Sequence, residues 1–284
     1  MNNMLHIPEG IPTISVLEQI SHADWYRELV VYSARFIDRF RKNLRLYNWS
    51  ISGNSFEHWS RRWEYPFVWT LLNEFISNNS ADQFRILDAG SGLTFFPWYL
   101  AERLPRTNVI CCDVNRSYTR KFQALSSALG QCRVCFRSAD IRAMPFPHAY
   151  FDVLYCVSVL EHADDHERIL EEFHRVVKPG GLIVVTFDIS LDGRTNISPH
   201  GAQQLLQRIG QRFCCDARGW LAELTKLQHN EKILTTDYTR AVAPHLLPWR
   251  FPRLKSLYDF LCGRGFSGGF FSLTCFGLSV RVPG

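Results

Sequence analysis

The fold class predicted by this 284-residue sequence is a doubly wound, mostly parallel α/β sheet, flanked by a helical N-terminal segment and a C-terminal insertion. Three observations predict it. From Arg85 onward, short apolar runs alternate with amphipathic helical stretches, an order that requires a parallel sheet covered on both faces. The first of these runs ends in an acid and a small-residue turn, Asp88-Ala89-Gly90-Ser91-Gly92, and leads into a helical pattern from Phe96 to Leu104. The other runs also end in or beside acids, so carboxylates are delivered to one edge of the sheet.

The elements follow in order. Residues 1 to about 80 read as helices rich in aromatics and arginine, including Trp25 to Leu46 and Trp63 to Ile76, and are expected to form a cap. The sheet runs begin near Arg85 (RILDAG), Asn108 (NVICCDV), Arg133 (RVCFRSAD), Tyr150 (YFDVLYCVSV) and Gly181 (GLIVVTFD), which five parallel strands account for most simply. Between them, Ser117 to Leu129 aligns Tyr118, Phe122, Leu125 and Leu129 on one face, and His166 to Val177 aligns Ile169, Leu170, Phe173 and Val177. Both are crossover helices. The second ends in Lys178-Pro179-Gly180-Gly181, a cation in the last turn followed by a stop and a tight turn. Residues 191–268, with a helical run from Gly201 to Phe213, read as an insertion shaping the acceptor side, and 269–284 as a last strand returning to the 81–190 core.

Composition excludes several classes. An apolar share of 46% and a charged share of 21% are those of a globular chain. The longest apolar run, Val153 to Leu160, falls far short of the roughly 20 residues that cross a bilayer. The first ten residues lack a secretory pattern, and a cytoplasmic setting is expected. Nine cysteines, several in strand segments, suit reduced core residues. Cys132 and Cys135 have metal-ligand spacing, but no second pair follows, so no metal is assigned. A net charge of +5 is too mild for a dedicated nucleic-acid binder.

The glycine turn carries the chemistry. A dinucleotide fingerprint needs a third glycine where Phe95 stands, which argues against a nicotinamide dehydrogenase. S-adenosylmethionine (SAM) has no phosphate but carries a cationic amino group and a sulfonium, so Asp88 at the end of the first strand suits it. Asp113, ending the second, can accept ribose hydroxyls, and Asp140, ending the third, can take an adenine amino group while Ile141 packs on the ring.

On ILDAGSG at 86–92, Asp113, ADIRAMPFPHAYFDVLYCVSVLEH at 139–162 and RVVKPGGLIVVTFD at 175–188, the chain resembles the class I SAM-dependent methyltransferases, nearest the ubiquinone/menaquinone-type small-molecule subgroup. The resemblance covers about residues 85–188 and implies a Rossmann-like, seven-stranded sheet. It also implies that Asp88, Ala89, Gly90, Ser91 and Gly92 cradle the methionine part, that Asp113 and Val114 border the ribose and Asp140 and Ile141 the adenine, and that Ser158 lines the same pocket. Leu93 and Thr94 depart from the family's glycine-rich turn, and a non-catalytic binding module is the alternative they raise.

After the fourth strand comes Ser158-Val159-Leu160-Glu161-His162. The Asn/Asp-Pro-Pro-aromatic motif of base-amino methylation is absent here, as is any Pro-Cys nucleophile, which argues against nucleic-acid substrates; RNA or protein is the alternative acceptor class. Methyl transfer needs a base only if the acceptor must lose a proton, and His162 and Glu161 are the candidates; His162 as a loop-orienting residue is the alternative. Before the first strand, Arg61 or Arg62 with Tyr65 is expected to close over the SAM carboxylate, against the alternative of tryptophans packed on the sheet and arginines in water. Leu246 to Phe271 mixes aromatics with arginine and lysine, as a partly hydrophobic small-molecule acceptor or a membrane surface would suit, though core packing would also explain it.

Overall fold

A computed structural model describes residues 5–44, 56, 58–194, 197–227, 232–247, 257, 260–261 and 270–284. Helices α1 (Ile14–Ser21), α2 (Asp24–Arg39), the single turn α3 (Arg41–Leu44) and α4 (Arg61–Ser77) precede the sheet. Then β1 (Phe84–Ala89), α5 (Phe96–Arg103), β2 (Thr107–Asp113), α6 (Tyr118–Leu129) and β3 (Val134–Ser138) build one half. β4 (Phe151–Val157), a 3₁₀ turn at Leu160–His162, α7 (His166–Val176) and β5 (Val177–Ser190) build the other. Helices α8 (Pro199–Arg212), α9 (Arg218–Glu223) and α10 (Thr236–Val242) fill the insertion, and β6 (Leu273–Arg281) ends the sheet.

The strand order is β3-β2-β1-β4-β5-β6. β1 to β5 are parallel, as the alternating helices require, and β6 pairs with β5 antiparallel. The described residues supply six strands where seven are expected, because the residues after β5 form helices and the chain returns to β5 directly through β6. Chain order reverses between β1 and β4, the switch point outside whose carboxyl ends ligands of such sheets bind.

Side chains on successive strand residues point to opposite faces, and each face has its own core. Ile86, Cys111, Tyr155 and Val184 join one with α4 and α5, while Leu87, Cys112, Leu154 and Val185 join the other with α7 and α8. Helix α4 lies against the first face: Gly277 of β6 faces it, and a Cβ there would stand 2.6 Å from Trp63 and 2.8 Å from Phe67. The N-terminal segment covers the outer edge of β6. Gly10 and Gly277 exchange backbone hydrogen bonds of 2.7 and 3.0 Å, and Glu9 accepts from Ser279 and from Trp220 Nε1. The aromatic and basic run at 246–271 lies mostly outside the described residues; Leu257, Phe260 and Leu261 within it are exposed.

Candidate functional site

The parallel strands carry Asp88, Asp113 and Asp140 to one edge. Cys112, at the end of β2, has all three as charged neighbours, and burial together with them pushes its thiol up to about 12. The two glycines of the turn take positive φ, 76° at Gly90 and 56° at Gly92, and the N–H groups of Gly90 and Ser91 both donate to the Cys112 carbonyl at 2.9 Å. The Gly92 N–H donates to Asp113 Oδ2 (3.0 Å) and the Asn115 N–H to Oδ1 (2.8 Å). A carboxylate has about four lone-pair directions, so Asp113 keeps acceptor capacity on both oxygens for hydroxyl donors.

A Cβ on Gly90 would stand 2.5 Å from Val159 Cγ2, so a side chain here would collide with the loop after β4. The buried groups beside it are Ala89 and Ser91. Asp88 is also buried, faces Cys111 and Tyr155 across the sheet, and takes a 4.0 Å donation from the Cys111 thiol. Burial, and to a lesser degree the Asp113 charge, raise its carboxyl to about 8, against the neighbouring Tyr155 hydroxyl, which holds it down.

Asp140 meets Arg142 with both oxygens, Nε to Oδ1 at 3.1 Å and Nη2 to Oδ2 at 2.8 Å, and these bonds hold its carboxyl below the usual range. An adenine amino group would therefore share Asp140 with Arg142. Ile141 beside it is buried and Val114 is exposed.

A second polar cluster forms where α4 meets β4 and β5. Thr186 and Asp188 are two apart on β5 and share the α4 face. Glu64, wholly buried, accepts from Arg61 Nη1, from Ser158 Oγ at 2.8 Å and from Thr186 Oγ1 at 2.5 Å. Burial alone would raise Glu64, but the guanidinium and hydroxyls outweigh it and hold the carboxyl below its ordinary value. Arg61 Nη1 also donates to Ser158 Oγ at 2.6 Å, and Ser158 has a φ of 51°.

Glu161, in the 3₁₀ turn, is only 8% exposed and neither carboxylate oxygen has a partner among the described residues. Asp188, also 8% exposed, leaves Oδ1 unpartnered. Burial and then the neighbouring Asp188 push Glu161 well above the usual carboxylate range; burial and then Glu64 raise Asp188 to about 8. His58 Nδ1 is likewise buried and unpartnered, and burial and Arg61 lower its imidazole to about 3.

The other expected site residues fall as follows. His162 is exposed, with desolvation and then the Arg61 charge lowering its imidazole below the usual value; the loop is tied instead by His166 Nε2, which donates to the Leu160 carbonyl at 2.8 Å. Arg61 is engaged by Glu64 and Ser158, and Tyr65 is buried and stacked on Phe96 at 4.5 Å. Arg62 is half-buried beside them. Glu64, Thr186, Asp188 and His58 join the site without having stood out in the sequence. The alternation in VVTFD puts Thr186 and Asp188 on one face, but only the packing of α4 reveals what that face meets. A groove lined by Glu167, Leu170, Arg208, Gln211 and Arg212 lies between α7 and α8 and includes none of these residues. Among the described residues, no helix is long and apolar enough to cross a membrane, and no group of three or more metal-donor side chains is placed to hold a metal ion.

Comparison with known proteins matches residues 87–185 to the family described as "Methyltransferase domain". The chain is 26% identical over 168 residues to ajmaline N-methyltransferase of Rauvolfia serpentina, covering 56% of each. It is 34% identical over 101 residues to demethylmenaquinone methyltransferase of Thermus thermophilus, covering 36% of this chain and 46% of that one. The chain thus spans about half the length of these curated relatives. Among solved structures, Haemonchus contortus phosphoethanolamine N-methyltransferase 2 in complex with S-adenosyl-L-methionine aligns with a TM-score of 0.46 at 15% identity, covering 76% of this chain and 52% of that one.

Proposed function

We propose that this chain, a member of the class I SAM-dependent methyltransferases, transfers a methyl group to an oxygen or nitrogen of a small-molecule acceptor. The observation that carries the reading is the meeting of Asp88, Asp113 and Asp140 at the switch-point edge, beside a turn whose Gly92 N–H orients Asp113. The donor set fits SAM. Asp113 has lone pairs left for ribose hydroxyls, the buried Asp88 carboxyl beside Tyr155 offers a polar partner to a cationic group, and no phosphate is needed to satisfy the turn.

Bound SAM supplies a sulfonium methyl, and its transfer leaves S-adenosylhomocysteine (SAH). The protein's part is to align the acceptor, exclude water and, where the acceptor must lose a proton, receive it. Glu161 and His162 on the 3₁₀ turn after β4 are the proton acceptors in this reading. Desolvation and then the Arg61 charge hold the His162 imidazole below its usual value and so favour the neutral form that can accept a proton, whereas the raised Glu161 carboxyl can accept one only after giving up its own. Arg61 and Ser158 position this wall through Glu64. Two relatives are named for the acceptors ajmaline and demethylmenaquinone, which supports a small molecule. A cytoplasmic setting suits the free thiols of the eight described cysteines.

The test is SAH formation from SAM with small nucleophile libraries in one arm and RNA or protein in the other. Transfer confined to small O- or N-nucleophiles is expected. Transfer confined to a macromolecule would overturn the acceptor class, and absence of SAH binding would overturn the reading altogether.

A further inference from the structure

We propose that Glu161 and Asp188 form the recognition site for a cationic acceptor, a small molecule presenting an ammonium group to these two buried carboxylates. The proposal rests on the methyl-transfer reading and names the acceptor class for the same site.

The charges in the cluster leave a deficit of cation. Three carboxylates, Glu64, Glu161 and Asp188, surround one guanidinium, Arg61. Arg61 is spent on Glu64, which also accepts from Thr186 and Ser158 and is fully satisfied. His58 is held neutral beside it. That leaves both oxygens of Glu161 and Oδ1 of Asp188 without a donor among the described residues, although each side chain is more than nine-tenths buried.

Buried polar groups are nearly always hydrogen-bonded, and an isolated buried carboxylate is costly. Two adjacent ones left unpartnered in an otherwise satisfied cluster are accounted for when a ligand brings the donors and the charge. An ammonium brings up to three N–H donors and one positive charge. A hydroxyl brings one donor and no charge, and a carboxylate or phosphate ligand would add to the repulsion.

Without ligand, protons take the place of the cation, since burial raises both carboxyls. Cation binding therefore ionises them and releases protons, and affinity rises with pH toward about 8. The groups facing the pair are Arg61 and Glu64 on α4, Cys156 on β4 and Cys275 on β6. Burial raises both thiols well above their usual range, so neither competes for the proton.

The experiment is calorimetry on the full chain saturated with SAH, using three probes of similar shape: 2-phenylethylamine, 2-phenylethanol and 3-phenylpropionate. The amine is expected to bind at least about tenfold more tightly than the alcohol, to release protons in buffers of differing ionisation heat, and to gain affinity between pH 6 and 8. Glu161→Gln and Asp188→Asn should each weaken the amine by about tenfold or more, with a smaller loss for SAH. Equal binding of the three probes, preference for the propionate, or no amine binding by protein that binds SAH would overturn the proposal. So would heat from magnesium chloride alone that the same substitutions abolish, because the cluster would then be a metal site. Failure to bind SAH strikes the underlying reading instead.

Discussion

At Gly90 the backbone sits at φ 76° and the Val159 side chain lies where a Cβ would go, 2.5 Å from Cγ2. Two separate penalties follow for Gly90→Ala: the left-handed conformation, roughly 1–2 kcal/mol for a residue with a Cβ, and displacement of the loop that carries Ser158 and Glu161. Thermal melting should register a lower Tm. Val159→Ala added to it should recover only the part due to the contact, and full recovery would mean that φ is unstrained. Asp113 acts differently, because it is exposed enough to meet a ligand and also fixes the Gly92 N–H. Asp113→Ala should weaken SAH binding by about 1–3 kcal/mol, the usual cost of stranding buried polar partners, and unchanged affinity would remove it from the ribose site.

Among elements, α4 decides the most. Its first turn supplies Arg61 and Glu64 to the polar cluster, and Trp63 from that turn packs with Phe67 of the next onto β6 at Gly277. Gly277→Ala pushes a Cβ to 2.6 Å from the Trp63 ring, and overpacking of this kind typically costs about 1–3 kcal/mol. The expected outcome is a Tm drop accompanied by weaker amine binding, since a shifted Trp63 carries Glu64 with it; a Tm drop that leaves the site untouched would separate α4 packing from site geometry. Elements built on local signals were legible from the sequence. Short apolar runs, the glycine turn and the crossover helices give β1 to β5, α6 and α7 their places, and Asp88, Asp113 and Asp140 follow from strand ends alone. What α4 does was not legible, because a helix rich in tryptophan and arginine has the same pattern whether it caps a cleft or packs on a sheet. The roles of Arg61 and Tyr65 turn on that difference. Asp188 and Glu161 each read as ordinary acids until long-range packing buries them together.

For the molecule as a whole, the buried acids set how stability varies with pH. Asp88 and Asp188, raised to about 8, and Glu161, raised well above the usual range, stay protonated in the folded chain while they ionise in the unfolded one. The folded state then binds more protons, so stability falls as pH rises from about 4 toward 8. Glu64 has the opposite sign: its depressed carboxyl stabilises the fold above the unfolded value near 4.5 and is lost as pH falls through its folded value. Tm at constant ionic strength should therefore be higher at pH 5.5 than at pH 8, and a flat or rising profile would contradict the burial of these acids. The net charge of +5 adds only a mild background to this dependence.

The most direct measurement is an isothermal titration of the chain with SAH, run beside Asp113→Ala. Saturable binding is expected with a Kd of about 1–100 µM, near −7 kcal/mol, and at least about fivefold weaker binding in the variant. Heats indistinguishable from dilution up to millimolar SAH, or equal affinity in the two proteins, would contradict it.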